Sequence, residues 1–440
     1  MASFKKFFAE AEAKGVAPFE LRYTKSTELS LEVYQDDLEQ NTIASNSTLI
    51  GRGMVGGKVG VFESDKVDSK IASLMIDSIK ANALFGGDYD ESFFISKGLK
   101  YKKIKNKDES LALVPSEKLI GMCKDISKKI RTLEPRITVC NVNLSLNSSE
   151  SVLENSRGLK LKSKGNYLVI YASTKIEVGT EVQSGFNYAI VSSLDEFNVD
   201  SFVKESIKKI VDSLGGGEVK SGKYNVIYSQ DCAASLLRFM LSNVSAYNVI
   251  NHLSLLEGKK GQQVLSKKMT LIENPYAGRL TDQSFDDEGI PAKKKVIFSK
   301  GVLNDFVYDL DSAKKMNTES SGNAALRGGK VVPSISYFEV KKGKKSFDEI
   351  VKSLKKGIYV TSLSGLGTGL NPQSGSYSLQ AEGFLIEDGK IVSPIPLMTV
   401  AGNILEDFGK VMEVGNDSKF TLNMCSVPSI LIKSLSVSGK

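Results

Sequence analysis

Imidazole is the scarcest chemical group in this chain. Its 440 residues include a single histidine, His252. Zinc hydrolases draw on two or three imidazoles, and serine and cysteine hydrolases generally recruit one as a base. Most histidine-based mechanisms are therefore closed to the chain acting alone, and His252 reads as a structural or surface residue. Cysteine is sparse as well. Cys123, Cys140, Cys232 and Cys425 stand far apart with no CxxC pair, which fits reduced thiols and not a disulfide frame or a zinc knot. No apolar run is long enough to span a bilayer. The opening MASFKKFFAEAEAKG lacks the pattern of a signal peptide, and Phe4, Phe7, Phe8 and Ala11 instead predict an amphipathic helix. The cytoplasm is the expected compartment. A clustered basic face is also missing. The net charge of +7 comes from lysines spread along the chain. The two basic runs, Lys100 to Lys107 and Lys341 to Lys345, flank turn-like residues and read as solvated loops. Nucleic-acid binding would want basic residues interleaved with exposed aromatics on one face, and the sequence argues against it.

A chain of this length exceeds one core, so at least two domains are expected. The first half alternates strands with helices. Leu29, Leu31 and Val33 alternate along a strand from Thr27 to Tyr34. Thr48 to Phe62 predicts a hairpin turning at Gly56-Gly57. Helical spacing follows Asp68 (Ile71, Leu74, Met75, Ile79), Ser116 (Leu119, Met122, Ile126, Ile130, Leu133) and Asp200 (Phe202, Val203, Ile207, Ile210, Val211, Leu214). The last of these helices stops at Gly215-Gly216-Gly217, the expected domain boundary. A faint repeat accompanies this order. A strand from Leu29 to Val33, then Leu38-Glu39-Gln40-Asn41 and a hairpin, parallels a strand from Val142 to Leu146, then Leu153-Glu154-Asn155-Ser156 and a hairpin around Lys164-Gly165-Asn166. The second half is richer in strands, with hairpins at Lys300-Gly301 and Asp388-Gly389. Ser346 and Glu349 make a capping box for a helix that Gly357 closes. Ile404, Leu405, Phe408, Val411 and Met412 mark another helix. The predicted class is α+β in two domains. Residues 1–217 form a duplicated strand-hairpin-helix domain, and residues 218–440 form a strand-rich one.

The helix predicted over Asp231 to Asn243, DCAASLLRFMLSN, is apolar around most of its circumference, with Asp231 as its N-cap. Ser235, Arg238 and Ser242 leave one thin polar stripe, with Asn243 beside it. Such a stripe can line a cleft. Composition alone favours an Arg238 that reaches solvent and serines that bond back to the helix. Gly365, Gly367 and Gly369 follow a strand as a phosphate loop would, but Asn371-Pro372 follows and no helix opens, so the nucleotide reading is rejected. Close approach of another backbone explains those glycines better. Asp286-Asp287-Glu288 could supply paired carboxylates for acid–base work, but acids in a loop ordinarily meet water. Asp309 and Asp311 are read the same way. Ser320-Ser321-Gly322-Asn323 reads as a turn.

The order of four segments in the second half resembles the TldD/PmbA family. These are Gly261-Gln262-Gln263-Val264 leading to Glu273-Asn274-Pro275, then FDDEGIP (Phe285 to Pro291), SSGNAALRG (Ser320 to Gly328), and the run SGSYSLQAEGFLIEDGK through AGNILEDFGKVMEVGND (Ser374 to Asp417). The stretch NTIASNSTLIGRGMVGGKVGVF near the front extends the resemblance over nearly the whole chain. The family has two arms, of which the TldD arm resembles a zinc peptidase with a His-Glu-x-x-x-His helix and a cysteine near the C-terminus. Arg238, Phe239 and Asn243 stand where that motif would be, and Cys425 falls near the cysteine. The resemblance thus implies the TldE/PmbA arm. A chain of that arm would have no catalytic residue and no cofactor of its own, zinc being held by a TldD-type partner. It would act on unfolded or modified peptides admitted to a cleft between subunits. Arg238, Asn243, Asp286, Asp287 and Glu288 are the candidate groove residues. The expected partner is a TldD-type subunit or a second copy of the chain, with a peptide as substrate and no membrane. Two alternatives remain. One is a homodimeric hydrolase using carboxylates such as Asp286 and Asp287. The other is a regulator of DNA gyrase, after an older family label, which predicts salt-sensitive binding.

Overall fold

A computed structural model gives the fold and describes residues 4–87, 89–104, 110–327 and 330–439. The basic run at Lys100 lies partly outside these residues, as does Gly328. The amphipathic N-terminal segment forms α1 (Lys5–Ala13), burying Phe7 and Ala11. An antiparallel meander follows, β1 (Phe19–Tyr34), β2 (Asp37–Val55) and β3 (Lys58–Ser64), and then α2 (Ala72–Ala83). The unit repeats as α3 (Ser116–Leu133), β4 (Ile137–Asn155), β5 (Lys160–Val178), β6 (Glu181–Val191) and α4 (Val199–Asp212). The two meanders join through β1 and β4 into one six-stranded sheet, β3-β2-β1-β4-β5-β6. The repeat is therefore real, but it is a three-stranded meander flanked by helices.

Side-chain alternation fixes which residues the helices cover. Leu29, Leu31 and Val33 pair with Leu146, Leu144 and Val142. They are buried with Leu119, Ile126 and Ile130 of α3 and Phe202 and Ile210 of α4. At the other end of the long strands, Phe19, Leu21 and Leu49 are buried with Phe7 of α1 and Met75, Ile76 and Ile79 of α2. Two side chains predicted for the core lie outside it. Leu74 falls beside the buried stripe of its helix and Leu133 sits in the last turn of α3, and both are exposed. The glycine turn at Gly56-Gly57 forms as predicted, both residues having positive φ. Lys164-Gly165-Asn166, predicted as a turn, lies inside β5 paired with Ser148, Ser149 and Glu150. The chain reverses earlier, where Gly158 takes φ +82°.

The second half opens with β7 (Gly222–Tyr228), α5 (Gln230–Ser242) and α6 (Ala246–Ile250). Then come β8 (Leu271–Glu273), β9 (Lys295–Ser299), β10 (Val302–Leu303), α7 (Leu310–Lys315), β11 (Ala324–Arg327), β12 (Lys330–Pro333) and β13 (Phe338–Val340). The remainder is α8 (Phe347–Lys352), β14 (Lys356–Ser364), β15 (Ser376–Glu387), β16 (Lys390–Asn403), α9 (Ile404–Gly409), β17 (Val411–Val414), β18 (Lys419–Thr421), β19 (Cys425–Val427) and β20 (Ile430–Ser438). One sheet runs β16-β15-β14-β7-β20-β17, and β16 also pairs with β20, closing five of its strands into a barrel. A second sheet runs β10-β9-β8-β13-β19-β18, and β11 and β12 form a separate hairpin. Helix α5 shares one core with the two larger sheets through Leu236, Leu237 and Met240.

The hairpins at Lys300-Gly301 and Asp388-Gly389 form with positive φ at all four residues, as type I′ turns require. The capping box of Ser346 and Glu349 forms too. Three local expectations do not hold. Ser229 caps α5 in place of Asp231, its side chain accepting from the Cys232 N–H. Gly357 lies within β14. Val411 and Met412 belong to β17, because α9 ends at Gly409. Among the described residues no helix is long and apolar enough to cross a membrane.

Candidate functional site

The polar stripe of α5 divides: Ser242 is exposed, and Ser235 and Arg238 are partly buried. Ser235 and Ser242 bond back to the Asp231 and Phe239 carbonyls at 3.0 and 2.7 Å, as composition suggested. Arg238 does not reach for solvent. Its guanidinium donates to the Ile335 carbonyl at 2.8 Å, to Met424 at 2.8 Å, to Asn423 through two nitrogens at 3.1 and 2.5 Å, and to Ser336 at 3.4 Å. It also lies 4.9 Å from the centre of the Phe338 ring. The carbonyls come from the segments entering β13 and β19, so the residue ties α5 to the second sheet. Burial pulls its pKa down, and the carbonyl dipoles compensate the desolvated charge. A cavity of about 300 Å³ beside it is lined by Ser245, Tyr247, Arg327 and Ile335. Asn243 is 3 % exposed and structural: its side chain accepts the Leu255 N–H at 2.9 Å and its carbonyl accepts from Ser254.

The family's metal motif can be tested against these residues. Arg238 offers only donors, Phe239 offers no lone pair, and the Asn243 oxygen is engaged. The nearby Cys425 is fully buried, beside Thr421, and burial pushes its thiol up to about 11. A zinc ligand must present a lone pair or a thiolate, so these residues do not fit the ion. Among the described residues, no group of three or more His, Cys, Asp or Glu is placed to hold a metal. His252 is on the surface, bonded to Glu257 at 2.9 Å. The glycines near Gly365 behave as expected at Gly369, where a Cβ would meet the Ser378 carbonyl at 2.4 Å.

The acidic loop overturns the expectation that its carboxylates meet water. Asp286 and Glu288 are each 2 % exposed. Asp286 accepts the backbone N–H groups of Glu288, Ile290 and Ala324 at 2.9–3.0 Å, and Asp287 accepts that of Leu326 at 2.7 Å. The loop thereby caps the outer edge of β11. Its other contacts reach the first sheet. Arg22 of β1 contacts the Asp287 carboxylate at 2.8 Å and its carbonyl at 2.7 Å. Arg52 of β2 pairs with Glu20 at 2.9 Å and with Glu288 at 3.6 Å. Glu20 and Arg52 are cross-strand partners. Glu288 also accepts the Leu310 N–H at 2.8 Å, at the start of α7. Asp309, 3 % exposed, caps that helix. Burial pushes Asp286 up to about 7, against its three backbone donors, and Glu288 up to about 8, against Arg52. Burial also raises Asp309.

These groups surround a cavity of about 490 Å³ between the first sheet and the β11–β12 hairpin. Its polar wall carries Glu20, Arg22, Arg52, Asp287, Glu288 and Asp309, and Val61, Tyr89, Phe93 and Leu326 supply apolar surface. Buried carboxylates with displaced pKa values beside a cavity are a recognised signature of a functional site. The structure thus brings Asp287 and Glu288 to one cavity, with Asp286 behind them, and places Arg238 at another. Glu20, Arg22 and Arg52 were not singled out from sequence. A signal was present: in FELR, strand alternation sets Glu20 and Arg22 on one face, opposite Phe19 and Leu21.

Residues 221–439 match the PmbA/TldA metallopeptidase C-terminal domain, and residues 109–214 match the PmbA/TldA metallopeptidase central domain. The chain belongs to the TldD/PmbA family of metallopeptidase-type proteins. It is similar to a metalloprotease of Archaeoglobus fulgidus, 24 % identical, over 94 % of this chain and 95 % of that one. A Thermotoga maritima protein described as a candidate modulator of a DNA gyrase superposes with a TM-score of 0.91 at 26 % identity, covering 99 % and 100 % of the two chains. TldE from Thermococcus kodakarensis shares the fold, with a TM-score of 0.88 at 22 % identity and coverage of 99 % and 100 %.

Proposed function

We propose that this chain is the non-metal subunit of a two-component metallopeptidase, of the TldE/PmbA kind. One observation carries the reading: the buried face of α5 holds a guanidinium bonded to backbone carbonyls where a peptidase of this family would present imidazoles. Without lone pairs there, the chain has no means of its own to polarise a metal-bound water. It contributes walls for an extended peptide, including strand edges and the cavity beside the acidic loop. Zinc and the attacking water belong to a TldD-type partner in the cytoplasm. Residues 1–217 and 218–440 act as its two structural units.

The test is reconstitution. The chain is purified alone and mixed with a family member bearing His-Glu-x-x-x-His, and cleavage of an unfolded peptide is followed by mass spectrometry. Cleavage by the mixture but not by this chain supports the reading. Chelator-sensitive cleavage by the chain alone overturns it.

A further inference from the structure

The cavity of about 300 Å³ between α5, α6 and the β11–β12 hairpin carries positive charge that the fold does not match. Two guanidinium groups border it, Arg238 and Arg327, and among the described residues none that lines it is acidic. Arg238 donates only to backbone carbonyls, which satisfy its N–H groups without cancelling its charge. Its Nη1 makes one of the two bonds open to it, to the Ile335 carbonyl. Glu273, whose charge reaches Arg238, is taken by Lys295 at 2.9 Å. Arg327 is exposed and forms no ion pair among the described residues. The two cations act on each other: burial lowers the Arg238 pKa, and the charge of Arg327 lowers it further. Tyr247 accepts from the Lys330 ammonium at 2.8 Å, so its own hydroxyl hydrogen is left to donate. The Ser334 hydroxyl, also on the cavity, has no partner among the described residues. Cations and surplus donors without an acid describe a site for an anion. The rest of the wall is apolar, with Leu241, Val307 and Val332.

We propose that this cavity binds a carboxylate joined to an apolar group. The carboxylate is held by Arg327 and Arg238, with the Tyr247 and Ser334 hydroxyls as further donors, and the apolar group packs on Leu241 and Val332. The planar fork of a guanidinium matches a carboxylate, and a phosphate would leave the apolar wall uncovered. Two sources share this chemistry: the C-terminal residue of a peptide and a small branched acid. A volume near 300 Å³ stands at the lower end of small-ligand pockets and suits a single terminal residue. The peptide source rests on the peptidase reading, and the carboxylate chemistry does not. Cleavage with a partner and binding without one are separate measurements, so either can fail without the other.

The experiment uses the full chain without a partner. Isothermal titration calorimetry at low salt measures binding of acetyl-Gly-Gly-Leu, of the same peptide as its C-terminal amide, of 4-methylpentanoate and of inorganic phosphate. At least one of the two acids binds, and the amide binds about tenfold more weakly than the free peptide or worse, the equivalent of one charge-assisted hydrogen bond. Tighter binding of the peptide than of 4-methylpentanoate supports a peptide end as the source, and the reverse supports a small acid. R327M alters an exposed residue without an ion pair, so it remains folded and loses affinity for the acid by a similar factor. Y247F keeps the ring beneath Lys330 and weakens binding through the lost hydroxyl alone. Binding of neither acid at millimolar concentration overturns the proposal, as does wild-type affinity in a folded R327M or, where the peptide binds, equal binding of its amide. Tighter binding of phosphate than of both acids overturns the assignment to a carboxylate.

Discussion

Replacing Arg52 with methionine tests whether the two halves of the chain are locked by charge. Arg52 lies in β2, its side chain 14 % exposed, between Glu20 and Glu288, whose side chains are 6 % and 3 % exposed. It also stands 5.2 Å from the Phe94 ring. Methionine keeps much of the aliphatic contact but removes the cation. Breaking a buried pair by deleting one partner costs ~3–5 kcal/mol, because the remaining charge is left uncompensated. That is a large share of the ~5–15 kcal/mol typical of a folded domain. The loss depends on pH. Glu288 stands at about 8 with Arg52 present, and removing the cation raises it further. Below that range it escapes the penalty by keeping its proton. Above it the naked charge must be buried or the cavity must open. Urea unfolding, which unlike guanidinium does not screen ion pairs, should show R52M less stable than wild type at pH 9.5, with the deficit shrinking at pH 5. A deficit below ~1 kcal/mol at pH 9.5, or the same deficit at both pH values, refutes the reasoning.

Glu288 makes a second prediction. Its value lies above the 4.5 of an ordinary glutamic acid, so between about pH 4.5 and pH 8 the folded state holds more protons than the unfolded one. Its contribution to stability is complete at the acid end and is lost as pH rises, at ~1.4 kcal/mol per pH unit. E288Q should flatten that part of the urea-midpoint profile, and parallel profiles for the two proteins would count against it. R238L should lower stability by ~2–4 kcal/mol, since several buried carbonyls lose their donor, and R238K should recover little because one ammonium cannot serve them all. A melting temperature unchanged in R238L would show that the carbonyl cage contributes nothing. The four cysteines are buried, and burial pushes Cys123 and Cys232 up to about 12 and Cys140 and Cys425 up to about 11. A thiol-specific reagent should find none of them in native protein at pH 8 and four after unfolding; rapid labelling of the native chain would contradict the burial.

Much of the fold was legible where the information is local. Alternation at Leu29, Leu31 and Val33 set the buried face of β1, and Gly56-Gly57, Lys300-Gly301 and Asp388-Gly389 marked turns because few other residues tolerate positive φ. The box of Ser346 and Glu349 is also a local device. The misreadings arose where tertiary context prevails. Gly165 and Gly357 looked like breaks but are paired within strands. The acidic loop looked wet because nothing near Asp286 announces that Arg22 and Arg52, far back in the chain, come to meet it. Arg238 stands out in the sequence as a polar interruption, but carbonyl partners contributed by backbone leave no trace in side-chain identity. The cavity itself joins elements of both halves, which no single stretch of sequence describes.

That Arg238, Phe239 and Asn243 have no free lone pair to offer a metal ion is the central claim, and elemental analysis of the purified chain tests it most directly. After dialysis against buffer containing one equivalent of zinc per chain, the account predicts that the chain retains no stoichiometric metal and that R238L retains none either. One firmly held zinc ion per native chain would contradict it.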